Sequence, residues 1–127
     1  MSNKIYINDL NKIEINSGDL VIDCGANLGT VTDYFVSRGA KVIAFEPNEY
    51  AYTLLEKKFR DNPNVTTIKK GVAGIKYTGK VKLYLHEESI KDQILYSSGS
   101  SILKDKNNVN ENDFQIIEII DLCKFIR

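Results

Sequence analysis

The stretch Val21-Ile22-Asp23-Cys24-Gly25-Ala26-Asn27-Leu28-Gly29-Thr30 constrains the fold of this chain more than any other. Leu20 to Cys24 is a short apolar run, which reads as a buried strand of a parallel sheet. It leads into a loop with Gly25 and Gly29. A helix over Thr30 to Arg38 follows, with Val31, Tyr34 and Phe35 at helical spacing and Gly39 as its C-terminal cap. Glycine permits a sharp turn and the close approach of a ligand to the backbone. In a doubly wound sheet, the crevice at the carboxyl ends of the strands is where ligands bind.

The next segments repeat the pattern. Lys41 to Glu46 reads as a second buried strand, which Pro47 and Asn48 break. Glu49 to Phe59 reads as a helix with Tyr52, Leu55 and Phe59 on one face. Asn62-Pro63-Asn64 is a turn, and Val65 to Lys69 a third strand. Strand, helix, strand, helix, strand implies a parallel sheet with right-handed crossovers. Ahead of it, Ile13-Glu14-Ile15 suits a short strand or a helix end, and Asn16-Ser17-Gly18-Asp19 a turn.

After residue 75 the texture changes. Lys80 to Leu85 alternates as a half-exposed antiparallel strand would, and Gln115 to Ile119 is a last strand. Asp121 to Ile126 suggests a short helix with Asp121 near its start, and Ser97 to Ser101 and Lys104 to Asn112 read as loops. The expected class is α/β, a doubly wound parallel sheet with a C-terminal antiparallel hairpin. It forms one domain: a lead-in over 1–17, the cofactor-type unit over 18–75, and hairpin, loops and helix over 76–127.

The spacing of the loop narrows its ligand. A dinucleotide fingerprint, G-x-G-x-x-G, seats a pyrophosphate on a helix N-terminus. Here the glycines are spaced G-x-x-x-G, and Asp23 precedes them. A carboxylate beside a pyrophosphate is unhelpful, whereas beside a cationic amino group it helps, so a nicotinamide cofactor is disfavoured. Glu46 closes the second strand 23 residues after Asp23, the place for an acid that accepts bonds from two ribose hydroxyls. Either acid alone is ordinary for a solvated strand end; the pair around the glycine loop is informative.

Composition removes other classes. Lys plus Arg and Asp plus Glu both number 17, and this balance argues against a nucleic-acid binder or a polybasic membrane anchor. His86 is the single histidine, and Cys24 and Cys123 are the two cysteines, few ligands for a metal. Both cysteines read as packing residues in a reducing cytoplasm, and His86 as a surface residue rather than a general base. The seven tyrosines are scattered without marking a stacking platform for nucleic acid. No apolar run is long enough to span a bilayer, and the first residues lack a signal peptide's apolar stretch.

Val21 to Thr30 resembles the first motif of Rossmann-like S-adenosylmethionine-dependent methyltransferases, and Ile43-Ala44-Phe45-Glu46-Pro47-Asn48 resembles the second-strand motif of their FkbM branch. Weaker likenesses lie at Val65 to Ile68 with Gly71 to Ala73, at Ser98 to Leu103 and at Ile117 to Leu122. The resemblance implies the N-terminal half of the class I methyltransferase fold. It also implies cofactor contacts at Asp23, Gly25, Ala26, Asn27, Gly29, Glu46, Pro47, Gly71 and Val72. The ribose would fall to Glu46 and the adenine to the Lys70 to Ala73 segment. The expected cofactor is S-adenosyl-L-methionine, and the expected acceptor a hydroxyl of a small molecule or sugar, with no nucleic acid and no membrane. FkbM methyltransferases continue into a fourth core strand where this sequence ends, so the expectation is a truncated domain. Beside the first strand that leaves either an open sheet edge, which would pair with a second copy or another chain, or a substitute strand from the C-terminal segment, with Gln115 to Ile119 covering the edge. A non-catalytic fragment serving as an interaction module is the alternative reading.

Overall fold

A computed structural model describes residues 10–74, 78–86 and 109–126, and side chains over 10–74, 78–85 and 113–126. Three strands, β1 (Leu20–Cys24), β2 (Lys41–Phe45) and β3 (Val65–Ile68), alternate with helices α1 (Thr30–Val36) and α2 (Glu49–Phe59). The strands form a parallel sheet in the order β1-β2-β3, with Leu20 opposite Lys41 and Val42 opposite Val65. Val42 and Ala44 on β2 pack against Phe35 of α1 and Leu55 and Phe59 of α2, which makes the first core. This is the α/β, Rossmann-like arrangement expected.

Among the described residues β1 lies at the sheet edge, as the open edge expected there requires, and Gln115 to Ile119 pair elsewhere rather than covering it. The departure is in burial, since the run read as buried leaves Leu20 64% exposed. The reason is topological: β2 takes one side of β1, and no strand pairs with the other among the described residues.

Both helices end where local chemistry dictates. Asn48 caps α2, its side chain accepting from the Tyr50 and Ala51 N–H groups, with Glu49 in the first turn and Lys57 and Lys58 in the last. Ala51, Leu55 and Phe59 are buried and Tyr52 packs beside them. α1 stops at Val36 rather than Arg38, because Gly39 takes φ +91° and the Ala40 N–H turns back to the Phe35 carbonyl. Ile13-Glu14-Ile15 is not a strand: the Ile13 N–H closes a turn on the Leu10 carbonyl, and Ile15 packs against the core.

A second sheet holds β4 (Gly71–Ala73), β5 (Gly79–His86) and β6 (Val109–Asp121) in the order β4-β6-β5. β4 runs parallel to β6, and β5 antiparallel to it as the expected hairpin. β6 is longer than expected, so 109–112 belong to a strand and not a loop; the Ser97 to Ser101 loop lies outside the described residues. Leu83, Ile117 and Ile119 form the second core. α3 (Leu122–Phe125) follows, capped by the Asp121 side chain on the Cys123 N–H at 2.9 Å. The Phe125 ring meets Phe45 edge-on at 5.2 Å, which brings α3 to the end of β2. Among the described residues no helix is long and apolar enough to cross a membrane.

Candidate functional site

The turn between β1 and α1 needs departures from ordinary backbone at three alternate positions: Gly25 at φ +79°, Asn27 at φ +51° and Gly29 at φ +90°. The two glycines serve different ends. A Cβ on Gly29 would stand 2.5 Å from the Phe59 ring and 2.9 Å from Leu55, so its missing side chain is required by the close passage of α2. A Cβ on Gly25 would meet nothing within 4 Å. Gly25 therefore leaves one side of the loop backbone clear at the carboxyl end of the sheet, where a ligand can approach. The Gly25 and Ala26 N–H groups both donate to the Phe45 carbonyl at 2.9 Å, which fixes the loop to the end of β2.

Glu46, 7% exposed, ties the same elements together. One carboxylate oxygen accepts from the Asn27 N–H and the other from the Asn48 N–H, both at 2.8 Å. Each oxygen keeps a second lone pair, so the acid can still accept from a ligand. Asp23 accepts from the Thr32 hydroxyl at 2.7 Å. Burial raises the Glu46 carboxyl above its ordinary range, against the two backbone bonds and with added repulsion from Asp23. Burial likewise raises Asp23, and the Thr32 bond opposes it. Two adjacent acids whose charged forms are disfavoured make a site that a cation would stabilise.

Asp23, Gly25, Ala26, Asn27 and Glu46 thus converge, and Pro47 carries the chain from Glu46 into the α2 cap. Gly29 sits behind the loop against α2. Gly71 and Val72 lie in the second sheet, paired with Ile119 and Ile120, and a Cβ on Gly71 would meet Ile119 at 3.1 Å. Cys24 and Cys123 are exposed, contrary to their reading as packing residues. Cys24 ends an edge strand, and α3 leaves no residue of its own buried. The His86 side chain lies outside the described residues. Among the described residues no group of three or more His, Cys, Asp or Glu could hold a metal ion.

Sequence reasoning missed three residues. Thr32 is fully buried under Asp23, nine positions away, and no local pattern announces that bond. Asn48 read only as a strand breaker, although Asn directly before a helical pattern is an N-cap signal. Gln115 reaches from β6 to accept the Glu49 N–H at 2.8 Å, and its buried Nε2 has no hydrogen-bond partner among the described residues.

No family model matches the chain. It is similar to ribosomal RNA small subunit methyltransferase A of Streptococcus thermophilus, with 33% identity over 73 residues, 58% of this chain and 25% of the relative. The counterpart from Thermotoga maritima is 36% identical over 52 residues, 41% of this chain and 19% of the relative. The chain spans about a quarter or less of the length of these curated relatives. A solved structure of a candidate rRNA-methylase from Clostridium thermocellum aligns with TM-score 0.46 and 27% identity, over 56% of this chain and 42% of that one. The curated relatives are methyltransferases named for ribosomal RNA. That finding overturns the expectation of a small-molecule or sugar acceptor with no nucleic acid. The neutral charge balance behind the expectation is a sum over the chain and does not report where its cations sit.

Proposed function

We propose that this chain carries the cofactor-binding unit of an S-adenosylmethionine-dependent methyltransferase whose acceptor is RNA, acting in the cytoplasm. One observation carries the cofactor reading. The β1 loop and the end of β2 are locked together through Glu46 and Asn27, with Asp23 beside them and the open side of Gly25 clear. S-adenosylmethionine supplies a methyl group on a sulfonium. The remaining lone pairs of Glu46 accept from the ribose hydroxyls. Gly25 lets the methionine part lie against the backbone, with Ala26 and Asn27 shaping the turn and Gly29 and Pro47 holding it. Asp23 places its carboxylate toward the cationic end of the ligand. Gly71 and Val72, just past β3, would border the adenine. The RNA acceptor is supported by the two curated relatives. Within methyltransferases, Ile43 to Asn48 is the feature that favours the FkbM branch.

One observation favours a second, non-catalytic reading: both Glu46 oxygens already accept backbone N–H groups, as a purely structural acid would arrange them. Calorimetric titration with S-adenosylmethionine and S-adenosylhomocysteine, with NAD as control, separates the two. The cofactor reading expects both to bind, NAD to fail, and Glu46→Ala to weaken binding at least tenfold. Asp23→Asn, which keeps an acceptor for Thr32, checks that any loss is not unfolding and should weaken both compounds alike, since both carry the cationic amino group. A folded chain that binds neither compound belongs to the non-catalytic reading.

A further inference from the structure

Tyr84 and Phe114 stand 30 positions apart in sequence and directly opposite each other across the β5–β6 pairing. Lys82 faces Ile116 and Lys80 faces Glu118 in the same register. Strand side chains alternate between faces, so these six residues share one face. Leu83, Ile117 and Ile119 point the other way into the second core. The Tyr84 and Phe114 rings meet edge-to-face at 6.1 Å, and the Lys82 ammonium lies 4.4 Å from the Phe114 ring centroid. Phe114 is 40% exposed and Ile116 60%. Glu118 is the acid on this face, and Lys70 neutralises it at 3.5 Å. Neither Lys80 nor Lys82 enters an ion pair among the described residues.

Exposed aromatic and aliphatic surface with two lysines outside the ion pairs of the described residues, all on one sheet face, suits a ligand that offers both a flat π-surface and negative charge. Unpaired nucleotides have both, since their bases stack on aromatic rings and their phosphates pair with lysines. A duplex hides its base faces within its own stack, so this face should discriminate against it. We propose that the Tyr84–Phe114 face, flanked by Lys80 and Lys82, binds a single-stranded segment of RNA. The choice of RNA rests on the acceptor reading above; the surface itself rests on register, exposure and charge.

The test is fluorescence anisotropy of the whole 127-residue chain with an end-labelled, unstructured RNA of about 12 nucleotides. The RNA should bind, and its fully paired duplex should bind several-fold more weakly. Phe114→Ala should weaken binding at least about fivefold, whereas Phe114→Trp, which keeps a π-face, should restore it. Lys80→Gln and Lys82→Gln should each lower the slope of log affinity against log salt by about 0.7. Circular dichroism of each variant checks that the fold persists. The proposal is overturned if Phe114→Ala binds as tightly as the parent, if duplex matches single strand, or if the folded chain ignores RNA. It is also overturned if sedimentation shows a dimer that Phe114→Ala dissociates, since that face would then belong to a second copy. Glu46→Ala separates the two readings: it should lose S-adenosylmethionine and keep RNA. RNA binding without cofactor binding sinks the methyltransferase reading alone, and cofactor binding without RNA binding sinks this one alone.

Discussion

In the turn after β1, unusual conformations are met by residues close in the chain. Gly25, Asn27 and Gly29 supply the left-handed backbone themselves, and Thr32 satisfies Asp23 from the helix that follows. The face of the second sheet is built otherwise. Tyr84 and Phe114 are ordinary strand residues, and only the antiparallel pairing makes them neighbours. Damage to the first region should therefore reach stability, because its residues hold the fold as well as a ligand. Damage to the second should reach a ligand and leave the fold nearly intact.

The largest effect expected from that contrast is at Gly29. Gly29→Ala combines a left-handed backbone penalty of about 1–2 kcal/mol with overpacking against Phe59 of about 1–3 kcal/mol. Urea unfolding should show a loss of several kcal/mol. Gly25→Ala carries the backbone penalty alone, about 1–2 kcal/mol, because nothing opposes its Cβ. Equal losses at the two glycines would mean that Phe59 swings aside at little cost, and the distinction drawn between them would fail.

Asn48→Ala ranks next. It removes the acceptor of two N–H groups at the start of α2 and should cost about 1 kcal/mol. Thermal melts would show it as a shift of several degrees. If S-adenosylmethionine affinity also falls in a variant that stays folded, the cap positions Glu46 through the Asn48 N–H.

The smallest effect is electrostatic. Burial raises the Asp23 carboxyl, so the folded chain holds that proton more tightly than the unfolded chain does. Its contribution to stability is complete below the ordinary aspartate range, near pH 4, and is lost as pH rises through the raised value. Asp23→Asn should gain slightly in melting temperature above that window and match the parent below it. A variant that is less stable than the parent at neutral pH would show that the Thr32 bond to a charged acceptor outweighs burial.

Much of the first region was readable in the sequence. The bounds of α2 and the starts of all three parallel strands follow from apolar periodicity and from Gly, Pro and Asn at the breaks. The approach of Asp23 and Glu46 to the glycine loop was legible from their spacing, because Asp23 lies one residue from the end of β1 and Glu46, expected to close β2, directly follows it on the adjacent parallel strand. The partners of Glu46 were not: both bonds are to backbone N–H groups, which every residue but proline carries. The exposure of Cys24 was not readable either, since an apolar run looks the same on a central strand and on an edge strand.

The sequence by itself determined the strand-loop-helix units, the turn chemistry and the acids at the strand ends, because each depends on residues within a few positions of one another. Only the tertiary structure decided that Gly29 is demanded by α2 and that an aromatic and cationic face exists at all. Those depend on strand order and cross-strand register, which bring together residues 30 positions apart and leave no local trace.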